Sequence, residues 1–290
     1  MTNPARPASG AWHYREAPLT DVDAGAKTWI ARGANFVTVV SEAPAATILT
    51  RADNPDEYMI VTDKVGATVT AGGETIAIAP DSLTIVPPGA SKVALAGDGA
   101  IVRIFTARAA DLAARASNAS AYPDHPADVA PLVNWPDPVG GYRIRTYALG
   151  DHVRDGTNMR VFRSTNLMVN VMTPRIVPRD TAKLSPHSHV DFEQGSLAIG
   201  GTYVHHLRYP WTPDMTSWRE DDAVEMGSPS VLVIPPTVIH TSRNIGPDAG
   251  RLIDVFSPPR VDFSLRDGVV RNAGEYPMPA SSEPAGSAAA

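Results

Sequence analysis

The hydrophobic positions of this chain fall in short runs of four to seven residues, rich in Val, Ile and Thr and cut by Gly, Pro or Asp. Runs of that length and composition predict β-strands. The first series covers 35–40, 46–50, 58–62, 67–70, 75–79, 83–86 and 101–106. The second covers 141–147, 166–172, 202–207, 230–234 and 251–256. One stretch, 107–118, reads as a helix, being rich in Ala with Leu112 on its apolar side. A proline-bearing passage through Tyr122 to Pro138 follows it and reads as a connector.

The two series repeat one another. Arg51–Glu57 aligns with His187–Glu193, Ile85–Lys92 with Val233–His240, and Ile101–Thr106 with Leu252–Ser257, in the same order. The offset between partners only grows, as insertions in the second copy require. The expected organisation is an N-terminal arm over 1–24, partly disordered, and a first β-domain over 25–106. A helix and Pro-rich connector over 107–140 follow, then a second β-domain over 141–270 and a flexible tail over 271–290.

Composition narrows the chemistry. With 27 prolines and 22 glycines in 290 residues, a helical bundle is excluded, and 43% hydrophobic against 19% charged residues excludes wholesale disorder. There is no cysteine, so disulfides, thiolate metal sites and cysteine nucleophiles are absent. The net charge of −6 and the lack of a basic run give no footing for nucleic acid or an anionic membrane. No window carries the roughly 18 apolar residues of a membrane span, so a soluble, cytoplasmic protein is expected.

Any metal must then be held by His, Asp or Glu. Five of the eight histidines lie between 187 and 240. His187 and His189 are two apart and leave one face of a strand; Glu193 has the same parity. His240 lies on a later strand, after the Pro235-Pro236 turn. Three imidazoles and one carboxylate converging inside a barrel suit Fe(II), Mn(II), Ni(II) or Zn(II). His205 and His206 are adjacent and face opposite ways, so at most one lines a pocket; a satisfied strand histidine and a substrate role both stand open for it. Asn244 reads either as a turn cap or as a pocket residue. The insertion 207–222, with Tyr209, Trp211 and Trp218, reads either as a lid or as a packing surface, and Arg208 and Arg219 as grips for a carboxylate.

The stretch His187-x-His189-x3-Glu193-x6-Gly200 resembles the first cupin motif, and Pro235 through His240 to Asn244 the second. Thr181, Thr237 and Pro229 stand where that pattern has glycine, which affects turns rather than ligands. The resemblance covers about 25–106 and 141–262. It implies an all-β fold of two tandem double-stranded β-helix barrels, jelly-roll-like, with a short connecting helix: a bicupin. It implies one divalent ion, Fe(II) or Mn(II) with Zn(II) or Ni(II) as alternatives, on His187, His189, Glu193 and His240. Glu193 and His205 are the implied proton carriers, and Tyr203, Arg208, Trp211 and Asn244 the pocket residues. The first copy has Arg51, Asp53, Glu57 and Lys92 at the ligand positions; its cations repel a divalent metal. Arg51–Glu57 or Lys92–Asp53 pairs inside the old cavity are expected there, in a barrel kept for packing. The implied activity is a dioxygenase-type reaction on a small molecule, by a homodimer. A redox-neutral isomerase, lyase or decarboxylase, or a non-catalytic binder, are the alternatives.

Overall fold

The computed structural model describes residues 10–13, 18–23 and 25–280. The remainder of the predicted arm and tail lies outside the described residues. The fold is all-β: two six-stranded antiparallel sheets and two smaller ones, of four and three strands, with short helices between. Each six-stranded sheet is backed by one small sheet, giving two barrels, as the duplicated pattern predicts. The predicted helix is shorter than expected, Ala110–Ala114, followed by a 3-10 turn at Ala119–Ala121. No helix among the described residues is long and apolar enough to cross a membrane.

The burial pattern of each strand reports its place. Tyr58–Thr62, Ser82–Val86 and Ser230–Ile234 are buried at every position, whereas Ala67–Ala71 alternates buried and exposed. A strand buried on both faces must have a barrel interior on one side and protein on the other. The second layer is the other barrel. Val40, Met59, Val61 and Ile104 of one large sheet pack on Val169, Leu197, Val233 and Val255 of the other in one apolar cluster. The alternate positions of the first barrel, including Val37, Ile60 and Val93, fill its own core.

Two segments depart from the expected boundaries. Gly10–His13, within the predicted arm, pairs antiparallel with Ser230–Ile234 in the second barrel. Arg145–Ala148, expected to open the second barrel, instead pairs with Ser82–Val86 in the first. Each barrel thus caps an edge of its large sheet with a strand from the other part of the chain, which leaves fewer unpaired edge groups. The expected flexible tail is also corrected up to its last described residue, since Asn272 and Tyr276 are buried within 271–280.

Tyr276 is held because of a carboxylate clamp that occurs twice. Glu57 accepts from the Thr165 N–H at 3.1 Å and the Tyr276 hydroxyl at 2.8 Å. Glu193 accepts from the Ala34 N–H at 2.6 Å and the Tyr122 hydroxyl at 3.0 Å. Both carboxylates stand at the start of a large-sheet strand and reach a tight turn in the opposite barrel. Gly33 makes room for one of them: a Cβ there would lie 2.7 Å from Glu193 Oε2. The aligned pair Glu57 and Glu193 therefore joins the barrels. This corrects both the expected Arg51–Glu57 pair and the expected ligand role of Glu193.

In the first barrel, Arg51 pairs bidentately with Asp111, while Asp53 and Lys92 are exposed. The expected Lys92–Asp53 pair inside the cavity does not form. The interior charge pair is instead Arg103–Asp23 at 2.5 Å, both fully buried.

Candidate metal centre

The site begins with a two-residue bridge. His187 and His240 sit opposite one another and exchange both backbone hydrogen bonds, at 3.1 and 2.8 Å. That pairing sets their rings 4.4 Å apart, and His189, two residues on, brings its ring within 5.0 and 5.1 Å of the two. One nitrogen from each ring lies within 4.8 Å of the others. Thr237, at one of the glycine-type positions, takes a left-handed φ of 65° and donates its N–H to His189 O at 2.6 Å. The turn keeps its shape without glycine, at the strain such a conformation imposes on a β-branched residue.

After His189 the chain bends at 190–191 and re-enters a strand at Gln194–Gly200. The bend resets the alternation. Glu193 faces the seam between barrels, and Gln194 faces in. Gln194 Oε1 lies 2.9 Å from His189 Nε2 and 3.3 Å from His240 Nε2. The place expected for the Glu193 carboxylate is thus taken by the neighbouring amide.

The orientation of each group is set from behind. The Nδ1 atoms of His187 and His240 lie 3.0 and 2.9 Å from the carbonyls of Ser185 and Val238. Those contacts put the protons on Nδ1 and leave Nε2 with its lone pair. The Gln194 amide nitrogen donates to Ser196 Oγ at 2.9 Å and Asp254 Oδ1 at 3.1 Å, so its oxygen must face the histidines. His240 Nε2 and Gln194 Oε1 are then two acceptors pointing at each other in a buried site. A cation between them satisfies both, and an all-neutral N3O donor set of this kind suits a divalent transition metal. Burial lowers the proton affinity of all three imidazoles, to about 4 for His240 and about 2 for His189. They are neutral, as ligands must be.

The centre opens on a cavity of about 170 Å³. Tyr203 and Asn244, both expected pocket residues, line it with His187, Gln194 and His240. Arg208 and Trp211 do not. Arg208 is exposed and paired with Asp221 at 2.6 Å, and Trp211 stacks on Trp218 at 4.4 Å with a nearly free outer face. The insertion folds on itself, with the Trp218 indole donating to Thr212 O, and contributes nothing to the cavity wall. His205 and His206 do face opposite ways: His206 meets Arg243, while His205 points inward. His205 is not on the cavity wall; its Nδ1 lies 2.7 Å from Ser242 Oγ and its Nε2 has no partner. This removes the geometric basis for its expected role as proton carrier.

Desolvation lowers the His205 pKa to about 4. The unfolded imidazole binds a proton near pH 6.5 and the folded one does not, so its contribution to stability is present above pH 6.5 and lost as pH falls toward 4. His205→Gln, which keeps a polar contact to Ser242, is expected to remove about 3 kcal/mol of acid sensitivity across that interval. Denaturant unfolding of both proteins at pH 7.5 and pH 4.5 measures it; equal slopes against pH refute it.

Besides Gln194, four charged groups at the site escape a reading of the sequence. Asp254 is buried inside the barrel and its pKa is raised to about 6 by desolvation. Arg175, Arg179 and Arg260 line the cavity. Arg260 lies 3.6 Å over the Phe263 ring and pairs with Asp262 at 2.7 Å. None belongs to a spaced motif; only the position of Asp254 on an inward-facing strand parity offered a signal.

The fold is an all-β double barrel, and its second half carries a cluster of three histidines placed to hold a metal ion. Solved structures bear out the fold. The chain is similar to Lactobacillus farciminis oxalate decarboxylase, a formate complex, at 13% identity and a TM-score of 0.58, covering 86% of each chain. It is similar to protein Ylba from E. coli at 10% identity and a TM-score of 0.57, covering 88% of this chain and 92% of that one. AerE from Microcystis aeruginosa follows at 8% identity and a TM-score of 0.53, covering 87% and 98%. These likenesses are likenesses of fold. No family model and no curated sequence matches the chain.

Proposed function

We propose that this chain is a metal-dependent bicupin enzyme that converts a small organic anion in its second barrel, in a dioxygenase-type reaction with Fe(II) or Mn(II). The observation that carries the reading is the convergence of His187, His189, His240 and the Gln194 carbonyl beside one cavity, whose wall three of them line. All four donors are neutral, so a divalent ion would keep its full charge there. Arg175, Arg179 and Arg260 add positive charge to the wall, against the single carboxylate of Asp254. That field favours a carboxylate or enolate. When bound, the metal would supply Lewis acidity and open positions for substrate and dioxygen.

The chain's own groups bind and orient. Arg260, held between Asp262 and the Phe263 ring, presents a guanidinium to a carboxylate at the wall. Asp254 keeps the Gln194 oxygen turned inward. Gln194 accepts no proton as a base and Glu193 faces the seam, so a substrate that arrives already ionised suits this site. Met172, Leu252 and Phe256 give the apolar part of the wall, which excludes water.

The test is oxygen uptake by Fe(II)-loaded protein with a panel of small organic acids. Substrate-dependent uptake supports the reading. Turnover under strict anaerobiosis would favour the redox-neutral alternative, decarboxylation or isomerisation, which the oxalate decarboxylase among the similar structures raises. Tight binding without turnover in either atmosphere would leave a non-catalytic binder.

A further inference from the structure

The wall of the cavity beyond the metal centre holds polar groups that the centre does not use. Asn244 lies four residues past His240 on the strand Ile239–Asn244, so it leaves the same face about 13 Å further along. It is 1% exposed and lines the cavity. Its Nδ2 donates to the Val177 carbonyl at 3.0 Å, which fixes the amide and leaves Oδ1 buried with no hydrogen-bond partner. A buried carbonyl without a donor costs about 1–3 kcal/mol, and native proteins rarely leave one without a reason.

Two neighbours share that end. Tyr203 is directly across from Asn244 in the sheet register and lines the same cavity. The backbone is stripped beside them: a Cβ on Gly250 would lie 2.6 Å from the Tyr203 hydroxyl and 2.9 Å from Asn244 Cβ. Gly250 is bridged to Arg175 by backbone hydrogen bonds of 2.7 and 2.9 Å. The Arg175 guanidinium enters no ion pair among the described residues, and it too lines the cavity.

The chemistry selects a ligand. An amide oxygen only accepts, so the group facing Asn244 must donate. An ammonium would be repelled by Arg175 and by the other wall arginines, which leaves a neutral donor, of which a hydroxyl is the most compact. Arg175 and the Tyr203 hydroxyl both donate, and together they suit a carboxylate. At about 170 Å³ the cavity is smaller than the roughly 300–1,000 Å³ of drug-sized pockets, so the ligand is short.

We infer that the far end of this cavity is a subsite for a short hydroxylated dicarboxylate, whose hydroxyl donates to Asn244 Oδ1 and whose distal carboxylate meets Arg175 and Tyr203. The inference rests on the metal-centre reading for the other end, where the second carboxylate faces His240 and Gln194. It adds a requirement the metal alone does not make, namely selection for a hydroxyl.

Titration calorimetry with 2-hydroxyglutarate and glutarate tests it on the full chain, with and without Zn(II) as a redox-inert ion, alongside separate titrations of Zn(II). The hydroxy acid is expected to bind the parent at least tenfold more tightly than glutarate, because only its hydroxyl answers the buried acceptor that is otherwise left without a partner. Asn244→Leu is expected to erase that difference, and Arg175→Gln to weaken both acids at least tenfold, with Zn(II) affinity unchanged in each. Equal affinity of the parent for the two acids overturns the inference, and this comparison needs no variant to fold. So does a preference that survives Asn244→Leu, or failure of either acid to bind at millimolar concentration. If the acids are discriminated but Zn(II) is not taken up, the metal reading falls and the subsite stands. If Zn(II) binds and the acids do not, the subsite alone falls.

Discussion

His240→Ala is expected to abolish stoichiometric binding of a divalent metal, and Gln194→Ala to weaken it roughly a hundredfold, while Glu193→Ala leaves it within a few-fold of the parent. The reason is geometric. His240 is the hinge of the centre: its backbone bridges His187 and its ring faces His189 and Gln194. Removing the ring takes away one ligand and the neighbour against which the His187 and His189 rings are set. Structural divalent sites are worth on the order of 10 kcal/mol in total, so each of four ligands carries a few kcal/mol, or about two powers of ten in affinity. Gln194 contributes a neutral oxygen held by Asp254 and Ser196. Glu193 contributes nothing, because its carboxylate is spent on Ala34 and Tyr122. Competition of each variant against a chelator of known affinity measures the order. A result in which Glu193→Ala loses metal and Gln194→Ala keeps it would restore the motif's usual ligand.

The second large effect is on stability. Glu193→Ala and Glu57→Ala are each expected to cost about 2–4 kcal/mol, since each leaves a buried backbone N–H and a tyrosine hydroxyl without an acceptor. Both carboxylates are almost fully enclosed, and burial pushes the Glu193 pKa up to about 7. Losing the clamp should loosen the seam between the large sheets more than either barrel core. The two losses should be similar, because each carboxylate reaches the same kind of turn and the same kind of tyrosine in the other half. Chemical denaturation of both variants, with Tyr122→Phe and Tyr276→Phe as milder partners, measures this. A Glu57→Ala protein as stable as the parent would remove the clamp from the first copy and with it the symmetry of the explanation.

Much of this was open to a reader of the residues. Strand length, branched residues and turn punctuation identify two all-β units, and three aligned segments identify the duplication. The spacing of His187 and His189 and the later His240 identify the imidazoles, because period-two alternation holds over a short extended stretch. The same alternation fails for Glu193: the bend at 190–191 shifts the phase by one, and a one-residue shift turns every side chain to the other face. A hint lay in the first copy, where Glu57 persists beside Arg51 and Lys92 with no metal to hold. A carboxylate kept where the site is lost serves something other than the metal.

Local sequence thus determined which residues extend, where they turn and which imidazoles share a face, since backbone sterics and alternation act over a few residues. Tertiary structure decided the rest. It sent Gly10–His13 and Arg145–Ala148 to their sheet edges, put Glu57 and Glu193 into the seam, and gathered Gln194, Asp254 and Arg260 around the histidines. Those outcomes depend on pairings between residues far apart in the chain. Their energies come from edge closure, burial and satisfied polar groups, and no window of neighbouring residues contains them.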